Sequence, residues 1–227
     1  MGAAGGWAVA TTGAGLAQSL GAATGDRLDR DRAPAAVARN AAAVRVPVGT
    51  DIEGGHAAGP AGIGDTVRAV LAAGAVAVNI EGGSYEPGGV PPQAAAEQTA
   101  RIAAAREATD AEGGPLFVNA RVNACPRGGG GVDRALERAA AFRADRADGV
   151  VVPGAVAPET VKEPVAGVDG PLNVMVFPGA LTVAEPAALG VTRIGAGAAL
   201  ARAARALVRR AARELLGRGP TGATTGS

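Results

Sequence analysis

The chain has few cysteine, histidine and aromatic residues, the types that most often indicate a disulfide, a metal site or a large apolar core. It contains one cysteine and one histidine among 227 residues, which excludes an intramolecular disulfide and a metal site built from several cysteines. Aromatic residues make up only 2% of the sequence, so the core must be built mainly from Val, Leu, Ile and Ala. Each of these residues gains less free energy from burial than an aromatic residue does.

Charge and hydropathy narrow the choice of partners and compartment. The 22 Lys and Arg residues nearly balance the 21 Asp and Glu residues, and the net charge of +1 offers no strong field for nucleic acid or an anionic membrane. The sequence has no uncharged apolar run of about 20 residues, the length that a transmembrane helix needs. Its Gly/Ala-rich start lacks the basic segment and apolar block of a signal peptide. We therefore predict a cytoplasmic protein whose partners include neither nucleic acid nor membrane.

The chain instead shows a regular alternation of short β-branched runs and longer Ala-rich stretches. The runs are mostly apolar throughout, as buried parallel strands require. Repeated strand–helix units imply parallel strands with right-handed crossovers, and about seven units favour a TIM-type (β/α)₈ barrel over an open sheet. The predicted strands are residues 7–12, 46–51, 76–81, 116–121, 149–153, 172–176 and 192–195; the predicted helices are residues 33–44, 62–73, 92–110, 133–144, 158–166, 182–189 and 198–216.

The strand count falls one short of the eight that a complete barrel has, and the deficit lies at the front of the chain. A barrel without its first strand would expose two strand edges. We expect that the natural start lies upstream of Met1; the alternative is that a partner closes the barrel. The prediction is thus one barrel domain over residues 1–216 that lacks its first strand and helix, followed by a disordered Gly/Thr-rich tail at residues 217–227.

Charged residues stand where three successive predicted strands end. Asp51 ends the second strand and Glu53 follows it, Glu81 ends the third and Arg121 ends the fourth. Barrels of this type place their chemistry at the carboxyl ends of strands. Any one of these residues alone would more often be an ordinary loop acid or ion-pair partner. Together they favour a functional site, because Mg²⁺ prefers oxygen ligands with several retained waters and an arginine fork suits a carboxylate or phosphoryl oxygen.

An ordered series of segments between Trp7 and Leu216 resembles the isocitrate lyase/phosphoenolpyruvate mutase superfamily. The resemblance implies a Mg²⁺-dependent (β/α)₈ enzyme that acts on α-keto acids or their precursors and makes or breaks C–C or P–C bonds through an enolate-like pyruvate. Members usually form homo-oligomers, often by exchanging the last barrel helix, which corresponds here to residues 198–216. The segments that carry the resemblance are residues 11–21 (TTGAGLAQSLG), 46–55 (VPVGTDIEGG), 78–81 (VNIE), 98–106 (QTARIAAAR), 119–121 (NAR), 147–154 (ADGVVVPG) and 172–175 (LNVM).

The resemblance also implies roles for individual residues. By position, Asp51 matches the acid nearest the metal. Glu53 and Glu81 match acids that hold the ion directly or through water. Arg121 matches the residue that binds the substrate and stabilises developing negative charge. The loop whose backbone N–H groups hold the substrate carboxylate corresponds to Gly13, Ala14, Gly15 and Leu16.

The sequence departs from the family at several positions. The lyases carry a catalytic cysteine in a loop that corresponds to residues 82–92, which contain neither Cys nor His. We therefore expect decarboxylase or phosphonate hydrolase-like cleavage. Two alternatives stay open. One is an isocitrate or methylisocitrate-type lyase with a substituted proton donor, such as Tyr85 or Cys125. The other is a degenerate barrel that binds a dicarboxylate without turnover, because a usual serine is replaced by Gly13 or Ala14 and a Thr-Asp pair by Val122-Asn123.

Overall fold

The computed structural model describes residues 5–23, 25, 27–83, 94–123, 131–154, 158–176 and 182–218. Within these ranges seven parallel strands form one sheet in chain order, curled into a half-barrel as expected for a TIM-type architecture. All seven predicted strands are confirmed, with shorter ends. They are β1 (Val9–Ala10), β2 (Val48–Asp51), β3 (Ala77–Glu81), β4 (Phe117–Arg121), β5 (Gly149–Val151), β6 (Leu172–Met175) and β7 (Arg193–Gly195).

Eight helices are found in the described part of the chain, and seven of them were predicted. None of the eight is both long and apolar enough to cross a membrane. The last helix includes the first two residues of the predicted tail, and residues 219–227 lie outside the described ranges. The helices are α1 (Gly13–Ser19), α2 (Arg32–Ala43), α3 (Pro60–Ala72), α4 (Ala95–Ala111), α5 (Gly131–Ala144), α6 (Pro158–Gly167), α7 (Ala184–Ala188) and α8 (Ala199–Arg218).

The expectation of a loop at residues 13–16 is wrong, because these residues form the first turn of α1. Their Gly-Ala-Gly sequence has weak helix propensity. Two tertiary effects override it. The Thr12 side chain caps the helix by accepting a hydrogen bond from the N–H of Gly15, and Leu16 and Ala17 are buried. Thr12, a residue type that favours the N-cap position, is the sequence feature from which this helix could have been predicted.

The main core lies between the sheet and the helices that follow its strands. On β3, Val78 and Ile80 are fully buried in this core, together with Phe142 of α5. Because side chains alternate along a strand, Asn79 and Glu81 share the opposite face of β3, toward the interior of the curled sheet. The apolar positions thus orient β3 so that its polar residues line that interior.

The edges of the sheet are β1 and β7. β1 pairs with β2 through Val9–Val48 and Ala10–Gly49, and no pairing between β1 and β7 occurs among the described residues. That a first strand and helix precede this chain in the natural protein stays a prediction.

Candidate active site

The sheet register brings together the charged residues at the strand ends. Glu81, the last residue of β3, pairs directly with Arg121, the last residue of β4. Asp51, the last residue of β2, pairs with Asn79, which lies two residues before Glu81 and therefore on the same face of its strand. Asp51, Glu81 and Arg121 thus lie close together at the carboxyl ends of three neighbouring strands, on the interior side of the sheet.

Glu81 and Arg121 form an ion pair in which Arg121 Nη1 donates to Glu81 Oε2. The Glu81 side chain is only 15% exposed, and its pKa is raised from 4.5 to about 7, chiefly by this burial. The negative charges of Asp51 and Glu53 contribute to the rise, whereas Arg121 opposes it. Burial and like charges therefore outweigh the arginine, and Glu81 is a carboxyl that titrates near neutral pH.

Arg121 also has an unused donor. Its Nε atom is buried and has no hydrogen-bond partner within the described residues. A buried N–H without an acceptor is costly, so this atom points to a ligand with an oxygen to offer.

Asp51 links the end of β2 to the start of α1. Its Oδ2 accepts a hydrogen bond from the N–H of Gly13 at 2.9 Å, and its Oδ1 accepts one from the N–H of Glu53 at 3.0 Å. Each carboxylate oxygen has a second lone pair. Asp51 can therefore hold this structure in place and still offer oxygen ligands.

Glu53 adopts an unusual backbone conformation. Its φ of +49° lies in the left-handed region, which costs a residue with a Cβ about 1–2 kcal/mol. Its side chain is buried and takes the space above Gly13, where an added Cβ would lie 2.4 Å from Glu53 Cγ. Any side chain at position 13 would have to displace Glu53, and this accounts for a glycine there.

The predicted carboxylate-binding segment has donors that are already engaged. The N–H of Gly13 donates to Asp51, the N–H of Gly15 to Thr12 Oγ1 at 2.9 Å, and the N–H of Leu16 to the Thr12 carbonyl at 2.8 Å. Binding of a substrate carboxylate by Gly13, Ala14, Gly15 and Leu16 stays a prediction, in which the ligand has to share or displace these contacts.

Three polar residues inside the curled sheet were not predicted as site residues. Asn79 Oδ1 accepts from Asn119 Nδ2 at 2.8 Å and from Arg193 Nη1 at 3.3 Å. Arg193 reaches it from β7, 114 residues away in sequence. Burial lowers the pKa of Arg193, and the negative charge of Asp51 opposes this shift. Asn79 and Asn119 lie two residues before Glu81 and Arg121 and therefore on the same strand faces, so they could have been predicted as site residues. The contact of Arg193 with Asn79 could not, because no sequence pattern near Arg193 indicates it.

A further contact joins the segments beyond β3 and β4. Asn123 is buried, and its Nδ2 donates to the carbonyl of Gly83 at 2.6 Å. Asn123 therefore holds the residues that follow β3 and β4 in a fixed position relative to each other. The proposed proton donors Tyr85 and Cys125 lie outside the described residues.

The donor set fits Mg²⁺, although it does not enclose an ion. No group of three or more His, Cys, Asp or Glu side chains within the described ranges is arranged to hold a metal by itself. Mg²⁺ usually keeps several waters and needs only one or two carboxylates. Asp51 has spare lone pairs, and the carboxylates of Asp51 and Glu53 are close enough to raise the pKa of Glu81. A divalent cation would relieve that repulsion, so magnesium binding stays a chemically consistent prediction.

Comparison with known proteins relates the chain to one family of enzymes. A family model for phosphoenolpyruvate phosphomutase matches residues 1–216. An uncharacterised protein of Mycobacterium tuberculosis is 34% identical over 191 residues, which cover 84% of this chain and 69% of the relative. The crystal structure of a candidate lyase/mutase from Burkholderia cenocepacia J2315 is 34% identical with a TM-score of 0.86, over 99% of this chain and 80% of that one. 2,3-Dimethylmalate lyase, a member of the PEP mutase/isocitrate lyase superfamily, is 25% identical with a TM-score of 0.84, over 97% and 78% of the two chains.

The raised pKa of Glu81 predicts that the metal-free protein loses stability as the pH rises. Between pH 4.5 and about 7 the folded carboxyl retains a proton that the unfolded chain has released, so the free energy of unfolding falls through this window. Glu81→Gln removes the titration. Relative to this variant, the wild type should lose about 1–3 kcal/mol between pH 5 and pH 8.

Urea denaturation in the presence of EDTA, at both pH values, measures this loss. Glu107→Gln, on the exposed side of α4, is the matched control and should leave the pH dependence unchanged. A wild-type profile parallel to that of Glu81→Gln would show that Glu81 is not the titrating group.

Proposed function

Because this chain belongs to the phosphoenolpyruvate phosphomutase family, we propose that it is a Mg²⁺-dependent enzyme acting on a small α-keto or hydroxy acid. Its superfamily comprises lyases and mutases of C–C and C–P bonds. The reaction proposed for this chain is C–C or P–C cleavage of the decarboxylase or phosphonate hydrolase type, through an enolate-like pyruvate. The observation that carries the proposal is the buried Nε of Arg121, which has no hydrogen-bond partner among the described residues and lies beside the carboxylates of Asp51, Glu53 and Glu81.

In this proposal the acids bind the metal and Arg121 binds the substrate. Asp51, Glu53 and Glu81 would hold Mg²⁺ directly or through water. When bound, Mg²⁺ supplies Lewis-acid stabilisation of a developing oxyanion. Arg121, fixed by Glu81, would orient the anionic substrate and stabilise the same negative charge as the bond breaks. Preorganised charge of this kind is usually the largest single contribution to a rate enhancement.

Dicarboxylate binding without turnover is the second candidate. The observation that favours it is the engagement of the Gly13, Gly15 and Leu16 amides by protein acceptors. Saturable binding of a dicarboxylate without pyruvate release from any substrate tested would support it.

Substitution of Arg121 tests the proposed enzyme. Pyruvate release in the presence of Mg²⁺ is measured with oxaloacetate, phosphonopyruvate and a methylisocitrate as separate substrates. Arg121→Ala should lower kcat/KM by about 10²–10³-fold or more, because it removes a charge aimed at the developing oxyanion.

Arg146→Ala is the matched control for this experiment. Arg146 forms an exposed ion pair with Asp110 and should be replaceable with little loss of activity. Full turnover by a folded Arg121→Ala variant would remove Arg121 from the mechanism.

We also propose that the chain self-associates through α8. Apolar residues Leu200, Leu207, Val208 and Leu215 are exposed along this helix, and the spacing of Leu200, Leu207 and Leu215 places them on one stripe. A second copy of the chain would cover this stripe.

Disruption of the stripe tests this association. Leu207→Glu should lower the molar mass measured by light scattering after size-exclusion chromatography, because it places a charge in the contact. Arg209→Glu, on the opposite side of α8, is the control. A wild-type monomer, or an unchanged oligomer in Leu207→Glu, contradicts the proposal.

A further inference from the structure

The segment that follows β2 carries Glu53 in a conformation that needs external support. Glu53 and His56 both have φ near +49°, and Gly55 has φ of +94°. The left-handed region is disfavoured for residues with a Cβ, and such residues stay there only when their surroundings hold them.

Arg101 of α4 makes three side-chain hydrogen bonds to this segment. Its side chain is only 4% exposed. Its Nη1 donates to the carbonyl of Gly54 at 2.7 Å and to that of Ala57 at 3.5 Å, and its Nη2 donates to the carbonyl of Ala58 at 3.4 Å. Glu97, one turn earlier on the same helix, pairs with it at 3.2 Å. A buried guanidinium is costly unless its donors find acceptors. Both Nη atoms find acceptors, mainly the carbonyls of one irregular segment, whereas the buried Nε has none among the described residues.

Two other elements complete the support. Thr66 of α3 donates from Oγ1 to the carbonyl of Gly55 at 2.7 Å. The N–H of Glu81 donates to the carbonyl of Glu53 at 2.8 Å. The segment is therefore held on one side by α3 and α4 and on the other by β3, with Arg101 spanning the largest number of its residues.

We propose that Arg101 is a positioning residue for the acid site. By holding the carbonyls of Gly54, Ala57 and Ala58, it keeps Glu53 in its left-handed conformation and keeps the Glu53 carboxylate near Asp51 and Glu81. Its effect on metal affinity rests on the proposed function, whereas its effect on the backbone of residues 53–58 does not.

The test compares matched variants of two arginines on the same helix. Arg106 is also on α4, its side chain is 11% exposed, and it donates to the carbonyls of Leu116 and Arg146 and to Asp148, away from the acid site. Methionine at either position retains an apolar stem of similar length and removes every donor. Both methionine variants are expected to lose stability, so both are compared under conditions where circular dichroism shows them folded.

The first readout is the Kd of Mn²⁺ measured by electron paramagnetic resonance. Arg101→Met should weaken binding about 10–100-fold, as loss of an outer support of a metal ligand typically does, while Arg106→Met should bind as the wild type does. Arg101→Lys, which retains the charge but not the fork, should give an intermediate Kd. If Arg101→Met does not fold, Arg101→Lys against Arg106→Lys makes the same comparison.

The second readout is hydrogen exchange of the amides of residues 53–58 in metal-free protein. Exchange there should be faster in Arg101→Met than in Arg106→Met, after correction for the global stability of each variant. Equal exchange in the two variants overturns the proposal, and so does wild-type Mn²⁺ affinity in a folded Arg101→Met. Faster exchange in a protein whose wild type does not bind Mn²⁺ would keep the positioning role and reject the proposed metal-dependent function.

Discussion

The ion pair between Glu81 and Arg121 is the interaction around which the site is organised. The parallel register of β3 and β4 places the last residues of the two strands side by side, so opposite charges meet where the strands end. Burial and the neighbouring acids raise the pKa of Glu81 to about 7 despite the arginine. Arg121 thus faces a carboxyl whose charge depends on pH and on any bound cation, and it retains one buried donor for a ligand.

The positions of the other acids follow from a chain of steric and hydrogen-bond constraints. Asp51 accepts from the N–H groups of Gly13 and Glu53, which joins the start of α1 to the end of β2. Glu53 turns into the left-handed region and covers Gly13, and only a glycine leaves it room. The position of the Glu53 side chain therefore explains why residue 13 is a glycine, and this glycine is not by itself a sign of lost function.

Local pattern was enough to predict the strands and their charged ends, because the apolar runs and the acids at their ends are visible in any short window. It failed at α1, whose Gly-Ala-Gly start is helical only because Thr12 caps it and Leu16 is buried. The roles of Arg101 and Arg193 could not be predicted, since the carbonyls that Arg101 holds and the Asn79 side chain that Arg193 contacts lie 43 or more residues away in sequence. The orientation of the carboxylates could not be predicted either, because it depends on hydrogen bonds from backbone N–H groups, which residue type does not reveal.

Isothermal titration with Mg²⁺ measures directly whether these acids bind the divalent cation that is proposed to act together with Arg121. Asp51 offers spare lone pairs at the end of β2, and Asp65, exposed on α3, supplies a matched control. We expect saturable binding by the wild type and by Asp65→Asn, and no measurable binding by Asp51→Asn. Equal affinity of the wild type and Asp51→Asn, with both proteins folded, would contradict it.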